Sequence, residues 1–182
     1  MIQMNGNPIS MYYRGRVIQS WWERGYDVQF YEATTPENNQ KTYLNFDKKR
    51  GKIEFTPTEK AVWYSHVEMW AKARERPILI IEHDAMLLSD IPSGIFKEPM
   101  ACLGHGISPT TGHRHKLAGC AYWLTPKIAT KMVATIKTMK RIQTNSDAFI
   151  HSNCDREGVW AKHHVQQIQE DDIGTTIEHH RK

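Results

Sequence analysis

The sequence predicts an α/β fold with a mostly parallel central sheet flanked by helices, in one domain spanning residues 1–182. Three observations point there. The chain opens with a strand–helix–strand pattern. A helix carrying both start and stop signals follows, and it runs directly into the strand "ILII", which is apolar on both faces as a central parallel strand is. The 182 residues suffice for one sizeable domain and hardly for two.

The elements follow in order. "IQMN" reads as a short strand. "PISMYYRGRVIQSWWERG" reads as a helix with Pro8 near its start, Gly25 as its stop, and Met11, Val17, Ile18, Trp21 and Trp22 along an apolar face. "YDVQFYEA" is rich in strand formers. "TTPENNQKTYLNFDKKRGK" has loop chemistry with room for one short strand or helical turn. In "TPTEKAVWYSHVEMWAKARER", Thr56 and Glu59 form a capping box around Pro57, and Val62, His66, Met69, Trp70 and Ala73 share one face. Pro77 ends that helix. After "ILII", the segment "IPSGIFKEP" reads as loop, "MACLGHGI" as strand, "SPTTGHRHK" as loop, "LAGCAYWLT" as strand and "PKIATKMVATIKTMKR" as helix. Residues 144–169 read as mixed helix and loop. The polar tail from about 170 to 182 is expected to be partly mobile.

Composition narrows the classes. No apolar run approaches the roughly 18–20 residues of a membrane span, so none is expected. "MIQMNGNPIS" lacks the basic and apolar regions of a secretory leader. Cys102, Cys120 and Cys154 are odd in number and lack CxxC spacing, so they are expected to be reduced, buried and inert, as in a cytoplasmic protein. The formal charge of +4 is compatible with an anionic ligand or nucleic acid. The basic cluster "DKKRGK" at 47–52 reads as a solvated loop or a phosphate contact.

The chemistry concentrates at Glu82-His83-Asp84, where the apolar strand ends. Burying one unpaired carboxylate costs several kcal/mol, so acids at such a place meet a cation or line a pocket mouth. In open α/β sheets ligands bind beyond the carboxyl ends of the strands. On an extended segment Glu82 and Asp84 point one way and His83 the other, so the two acids could share a Mg²⁺ or Mn²⁺ ion. The same pair also suits a strand end whose acids meet Arg or Lys.

Several stretches occur in a telling order: "FTPTEKAVWYSHVEMW", "ILIIEHDAMLL", "ACLGHG", "GCAYWLTPKIATKMV" and "SDAFI". Through them the chain resembles the family 25 glycosyltransferases, the lipopolysaccharide and collagen galactosyltransferase type. The matching positions are Glu59, Ser65-His66, Glu82-His83-Asp84, Leu103-Gly104, Gly119, Tyr122, Thr125-Pro126 and Asp147. The likeness runs from about residue 55 to 150. One departure lies at its centre: where the family has Glu-Asp-Asp, this chain has Glu-His-Asp.

The resemblance implies a GT-A-type (Rossmann-like) nucleotide-sugar fold and an inverting transfer assisted by a divalent metal, Mn²⁺ or Mg²⁺. Glu82 and Asp84 are then the expected metal ligands, with His83 able to join them or to weaken the site. A C-terminal histidine, His179 or His180, is a candidate further ligand, against a plain polar tail. Arg14 and Arg16 are candidates to meet the donor diphosphate, against a solvent-facing helix surface. Ser65 and His66 are expected near the nucleotide or behind the acidic strand end. A transfer to a hydroxyl needs a general base. Asp147 is the first candidate and Asp155 the second, while Asp147 could equally be a helix N-cap.

The expected activity is thus transfer of a hexose or pentose from a nucleotide-sugar donor to a glycan or to a modified nucleobase in DNA. The alternative is a module of the same fold that binds nucleotide, glycan or nucleic acid without catalysis, which the histidine at position 83 favours.

Overall fold

The computed structural model describes residues 1–3, 5–48, 53–107, 114–116 and 119–168. The elements are β1 (Ile2–Gln3), α1 (Pro8–Trp22), β2 (Tyr31–Glu32), α2 (Pro57–Ala73), β3 (Ile78–Ile81), β4 (Ala85–Leu87), β5 (Met100–Ile107), β6 (Arg114–Lys116), β7 (Ala121–Leu124), α3 (Pro126–Thr138), α4 (Ser146–Glu157) and β8 (Val159–Gln167). A 3-10 turn at Ser93–Lys97 lies in the loop before β5.

The helices begin where short-range chemistry starts them. The Asn7 side chain accepts the Ser10 N–H at 2.9 Å, and Pro8 opens α1. The capping box of α2 is complete: Thr56 Oγ1 accepts the Glu59 N–H at 3.1 Å, and Glu59 Oε2 accepts the Thr56 N–H at 2.9 Å. Gly25, at φ 77°, turns the chain out of α1.

The fold is α/β, but the sheet is mixed rather than mostly parallel. Its order is β3-β7-β5-β8-β4, with β6 against β5. Among these pairs only β5–β8 is parallel; β3–β7, β7–β5, β8–β4 and β5–β6 are antiparallel. β1 and β2 form a parallel pair, joined to the end of β3 by a parallel bridge between Ile2 and Glu82. Following these pairings, β1, β2, β3, β5 and β8 run one way, and β7, β4 and β6 run the other. β7 separates β3 from β5, which is why two co-directional strands do not pair. β5 over residues 100–105 and β7 are largely buried on both sides, and that pattern carries no information on direction.

Three further expectations change. Residues 114–116, within a segment read as loop, form strand β6 against β5. Residues 159–167, read as helix and loop, form strand β8 between β5 and β4. Met11 and Trp22, placed on the inner face of α1, are 56% and 58% exposed, while Tyr13, Val17, Ser20 and Trp21 face inward.

Helices cover both faces. On one, Ile80, Cys102, Tyr122 and Leu124 pack with residues of α2, α3 and α4, including Trp63, Trp70, Met132 and Ile150. On the other, Ile81, Leu103, Ala121 and Val165 pack with Tyr13, Val17 and Trp21 of α1. The Trp21 indole N–H donates to the Ala85 carbonyl at 2.8 Å, and Ser20 Oγ accepts the Leu87 N–H at 3.0 Å, so α1 is bolted to β4. The three cysteines are free and buried, as expected. Among the described residues, no helix is long and apolar enough to cross a membrane.

Candidate active site

The strand order brings four chain segments to one edge of the sheet: the carboxyl end of β3, the start of β7, the start of α4 and the end of β8. Glu82, Gly119, Asp147 and Gln167 come from these segments, and Asp84 comes from the turn after β3.

Glu82-His83-Asp84 is not an extended segment. The Ala85 N–H donates to the Glu82 carbonyl at 3.1 Å, closing a tight turn between β3 and β4 with His83 and Asp84 at its centre. The alternating geometry expected of a strand therefore does not hold, and the two acids make different attachments.

Glu82 keeps a quarter of its side chain exposed, and its Oε1 lies 3.3 Å from His66 Nε2. Burial pushes this carboxyl up. The hydrogen-bonding contact with His66, helped by the neighbouring His83, more than offsets that, so it lies below the usual glutamate range. Its backbone N–H donates to the Cys120 carbonyl at 2.9 Å, which sets it beside the start of β7.

Asp84 is 5% exposed. Its Oδ2 accepts the Gln167 amide N–H at 2.9 Å, and its carbonyl accepts the Ile168 N–H at 2.9 Å. The residue thus latches the end of β8 onto the turn. His83 is half-buried beside Tyr13, with ring centroids 6.5 Å apart. Burial lowers its imidazole below the ordinary value, and the Glu82 charge opposes that shift.

Asp147 is not the N-cap of α4. Asn145 is: its side chain accepts the Ala148 N–H at 2.8 Å. This frees the Asp147 carboxylate to reach across to β7, where Oδ1 accepts the Gly119 N–H at 2.6 Å. Burial raises the Asp147 carboxyl above the usual aspartate range. The Gly119 N–H pulls it down, and the Glu82 charge raises it further. The position in the first turn of α4 also suits a negative charge.

His66 is 1% exposed, on the inner face of α2. Its Nδ1 lies 2.7 Å from the Tyr122 hydroxyl, which also accepts the Trp70 indole N–H at 2.9 Å. Ser65 turns the other way: its Oγ accepts the Thr34 N–H at 2.9 Å and donates to the Ala61 carbonyl at 3.1 Å, tying α2 to the chain after β2. Glu59 serves its capping box.

The remaining candidates lie elsewhere. The Arg14 guanidinium sits 4.2 Å from the centre of the Phe30 ring, and Arg16 is exposed on α1. Asp155, near the far end of α4, accepts the Trp160 indole N–H at 2.8 Å and lies 3.0 Å from His151. His179, His180 and the expected mobile tail fall outside the described residues, as do residues 49–52 of the basic cluster. A groove of about 640 Å³, lined by residues including Trp21, Tyr26, Lys72, Arg76 and Ile78, opens at the amino end of β3, the opposite edge from Glu82.

Tyr122 and Gly119 stand out in the sequence only as motif positions, and nothing there pairs them with His66 and Asp147. Gln167, which binds Asp84, carries no sequence signal at all. Comparison of the sequence with protein-family models and with curated proteins returns no match.

Proposed function

We propose that the chain is a glycosyltransferase that moves a sugar from a nucleotide-sugar donor to an acceptor hydroxyl, with inversion. One observation carries this reading. A partly exposed, ionised Glu82 and a buried Asp147 of raised basicity meet at the carboxyl edge of an α/β sheet, where such sheets bind ligands. The order of motifs shared with family 25 glycosyltransferases supports it, and the GT-A character of the sheet rests on that resemblance.

The roles divide as follows. Glu82 and Asp84 offer hard carboxylate oxygens from one turn, the donor chemistry that Mn²⁺ or Mg²⁺ takes. Among the described residues no three of His, Cys, Asp and Glu form a metal-holding group; an ion held by Glu82 and Asp84 would take its other oxygens from water or from a bound diphosphate. When bound, the ion supplies positive charge against the leaving diphosphate. His83 beside these acids adds no negative charge and lowers the site's demand for a cation. Asp147 takes the proton of the acceptor hydroxyl as that oxygen attacks the anomeric carbon opposite the leaving group. Arg14 lies over Phe30 and Arg16 on the exposed side of α1, so neither is assigned to the donor side; His66 stands in the wall behind Glu82, while Ser65 ties α2 to the chain after β2. The acceptor we propose is a glycan or a modified nucleobase in DNA.

A second reading is a module of this fold that binds a nucleotide without transfer. The burial of Asp84 at 5% and its bond to Gln167 favour it, because that carboxylate is engaged in holding β8.

A thermal-shift screen of nucleoside diphosphates and nucleotide sugars, with and without Mn²⁺, separates the two. A ligand at 100 times its Kd adds about 2.7 kcal/mol. A metal-dependent shift that disappears in Asp84→Asn, together with sugar release that disappears in Asp147→Asn, is the expected result. A shift without sugar release selects the binding module. No shift with any nucleotide overturns both.

A further inference from the structure

The buried chain Trp70–Tyr122–His66–Glu82 crosses from the helix layer to the edge of the sheet, and its donors and acceptors permit only one consistent arrangement. An indole N–H can only donate, so Trp70 Nε1 gives its proton to the Tyr122 oxygen at 2.9 Å. The Tyr122 hydroxyl is fully buried and has its own proton to place; His66 Nδ1 is 2.7 Å away. A neutral imidazole has one bare nitrogen and one protonated nitrogen. Were Nδ1 protonated, the tyrosine hydrogen would lose this acceptor, and a bare Nε2 would face the Glu82 carboxylate at 3.3 Å, lone pair against negative charge. With Nδ1 bare, every proton has a target, and Nε2–H faces Glu82 Oε1. Burial raises the Tyr122 hydroxyl well above the ordinary tyrosine value, so it keeps the proton this arrangement requires.

We infer that Tyr122 and Trp70 are positioning residues: they hold His66 as the neutral Nε2–H tautomer, and through it they fix the orientation of the Glu82 carboxylate. A neutral donor beside one oxygen leaves Glu82 its full negative charge and its other oxygen without a claim from His66. An arginine or lysine in the place of His66 would orient the carboxylate equally well but would repel a cation. Buried networks in which every member is satisfied hold one geometry, and groups standing behind a metal ligand set its orientation and basicity. The tautomer stands independently of any activity; its use in presenting Glu82 to a cation rests on the function proposed above.

The test is the imidazole ¹⁵N–¹H correlation spectrum of the ¹⁵N-histidine-labelled full chain at about pH 8, above the ordinary histidine range of about 6.5. His66→Gln identifies the His66 signal. The expected spectrum has His66 neutral with its proton on Nε2. In Tyr122→Phe, where Glu82 still favours Nε2–H, the His66 signal shifts or broadens as the bare Nδ1 loses its donor, and Mn²⁺ affinity falls about 10- to 100-fold. His66→Gln, which keeps an N–H donor near the Nε2 position, retains more Mn²⁺ affinity than His66→Asn. A wild-type His66 protonated on Nδ1 or on both nitrogens overturns the inference. So does a Tyr122→Phe variant with an unaltered His66 signal, or one with unchanged affinity where the wild type binds Mn²⁺. A wild type that binds no Mn²⁺ but has the expected tautomer refutes the cation site and leaves the His66 assignment standing. If Tyr122→Phe does not fold, Trp70→Phe keeps the hydroxyl in place. It is then expected to retain the Nε2–H tautomer and to broaden or split the His66 signal as the tyrosine loses its donor; an unaltered signal overturns the role of Trp70.

Discussion

The Asp147 carboxylate accepts the backbone N–H of Gly119 at 2.6 Å, joining the first turn of α4 to the start of β7. The glycine allows this approach. A Cβ at residue 119 would meet Asp147 Oδ1 at 3.2 Å, tight against a side chain that can move a little. At Gly158, between α4 and β8, a Cβ would meet the Met100 carbonyl oxygen at 2.5 Å, a backbone atom that cannot move without disturbing β5. Gly119→Ala is therefore expected to cost about 1 kcal/mol and Gly158→Ala about 3 kcal/mol or more. Urea unfolding of the two variants measures this, and equal costs would refute the distinction.

Asp147 combines a structural bond with the proposed chemistry, and two substitutions separate them. Asp147→Asn keeps a carbonyl oxygen to accept the Gly119 N–H and removes the base. Asp147→Ala removes both. The first is expected to lower transfer by about 10²- to 10⁴-fold with stability within about 1 kcal/mol of wild type. The second is expected to lower transfer similarly and to lose stability as well, because the Gly119 N–H loses its partner. Comparable activity in Asp147→Asn and wild type would remove Asp147 from the chemistry.

The two carboxyls shift in opposite directions, so their pH effects oppose. Glu82 is held below its unfolded value near 4.5, first against burial and then by His66 and His83. Its ionisation adds stability above that value, and the contribution is lost as pH falls through the folded value. Asp147 is raised above its unfolded value near 3.8, chiefly by burial. Its contribution is present below that value and is lost as pH rises through the folded one. Between about pH 3 and 5, stability should therefore climb with pH less steeply in Glu82→Gln than in wild type, and more steeply in Asp147→Asn. Denaturant midpoints across that range test both slopes.

Gln167 holds Asp84 through a bond to a buried carboxyl oxygen. Gln167→Met keeps the bulk and removes the donor, at an expected cost of about 1–3 kcal/mol. The loss should appear first at the β4–β8 edge, as faster hydrogen exchange of the Ile168 amide, which is bonded to the Asp84 carbonyl. Unchanged exchange there would mean that the side-chain bond does not secure the strand.

Much of the fold was legible in the residues, and for reasons that lie within a few positions of each other. The start of α2 follows from Thr56, Pro57 and Glu59, whose hydrogen bonds span three residues. "ILII" reads as a buried strand from its composition, and α3 follows from Pro126 and the spacing of Ile128, Met132, Val133 and Ile136. The acids at the end of β3 are visible as candidates because charge beside an apolar run is costly; Asp147 is marked by the family resemblance.

What escaped reading depends on partners distant in sequence. "VWAKHHVQQ" has no strand pattern of its own; it becomes β8 because β5 and β4 offer hydrogen-bonding edges on both sides of it. β7 runs against its neighbours, and a strand buried on both faces reads the same in either direction. The separation of Glu82 from Asp84 was hidden for a related reason. A single backbone bond from Ala85 to Glu82 turns the chain back, and the apolar residues after it are buried under α1.

By itself, the sequence determined the helices, the apolar strands and where charge had to be accommodated, since helix caps, hydrophobic period and the cost of burying a charge are local properties. Only the tertiary structure decided that Glu82 faces His66, that Asp84 faces Gln167 and that Asp147 reaches Gly119. Each of these pairs joins elements 16 to 83 residues apart, and a side chain's partner at that separation is set by strand order and packing, which no short stretch of sequence contains.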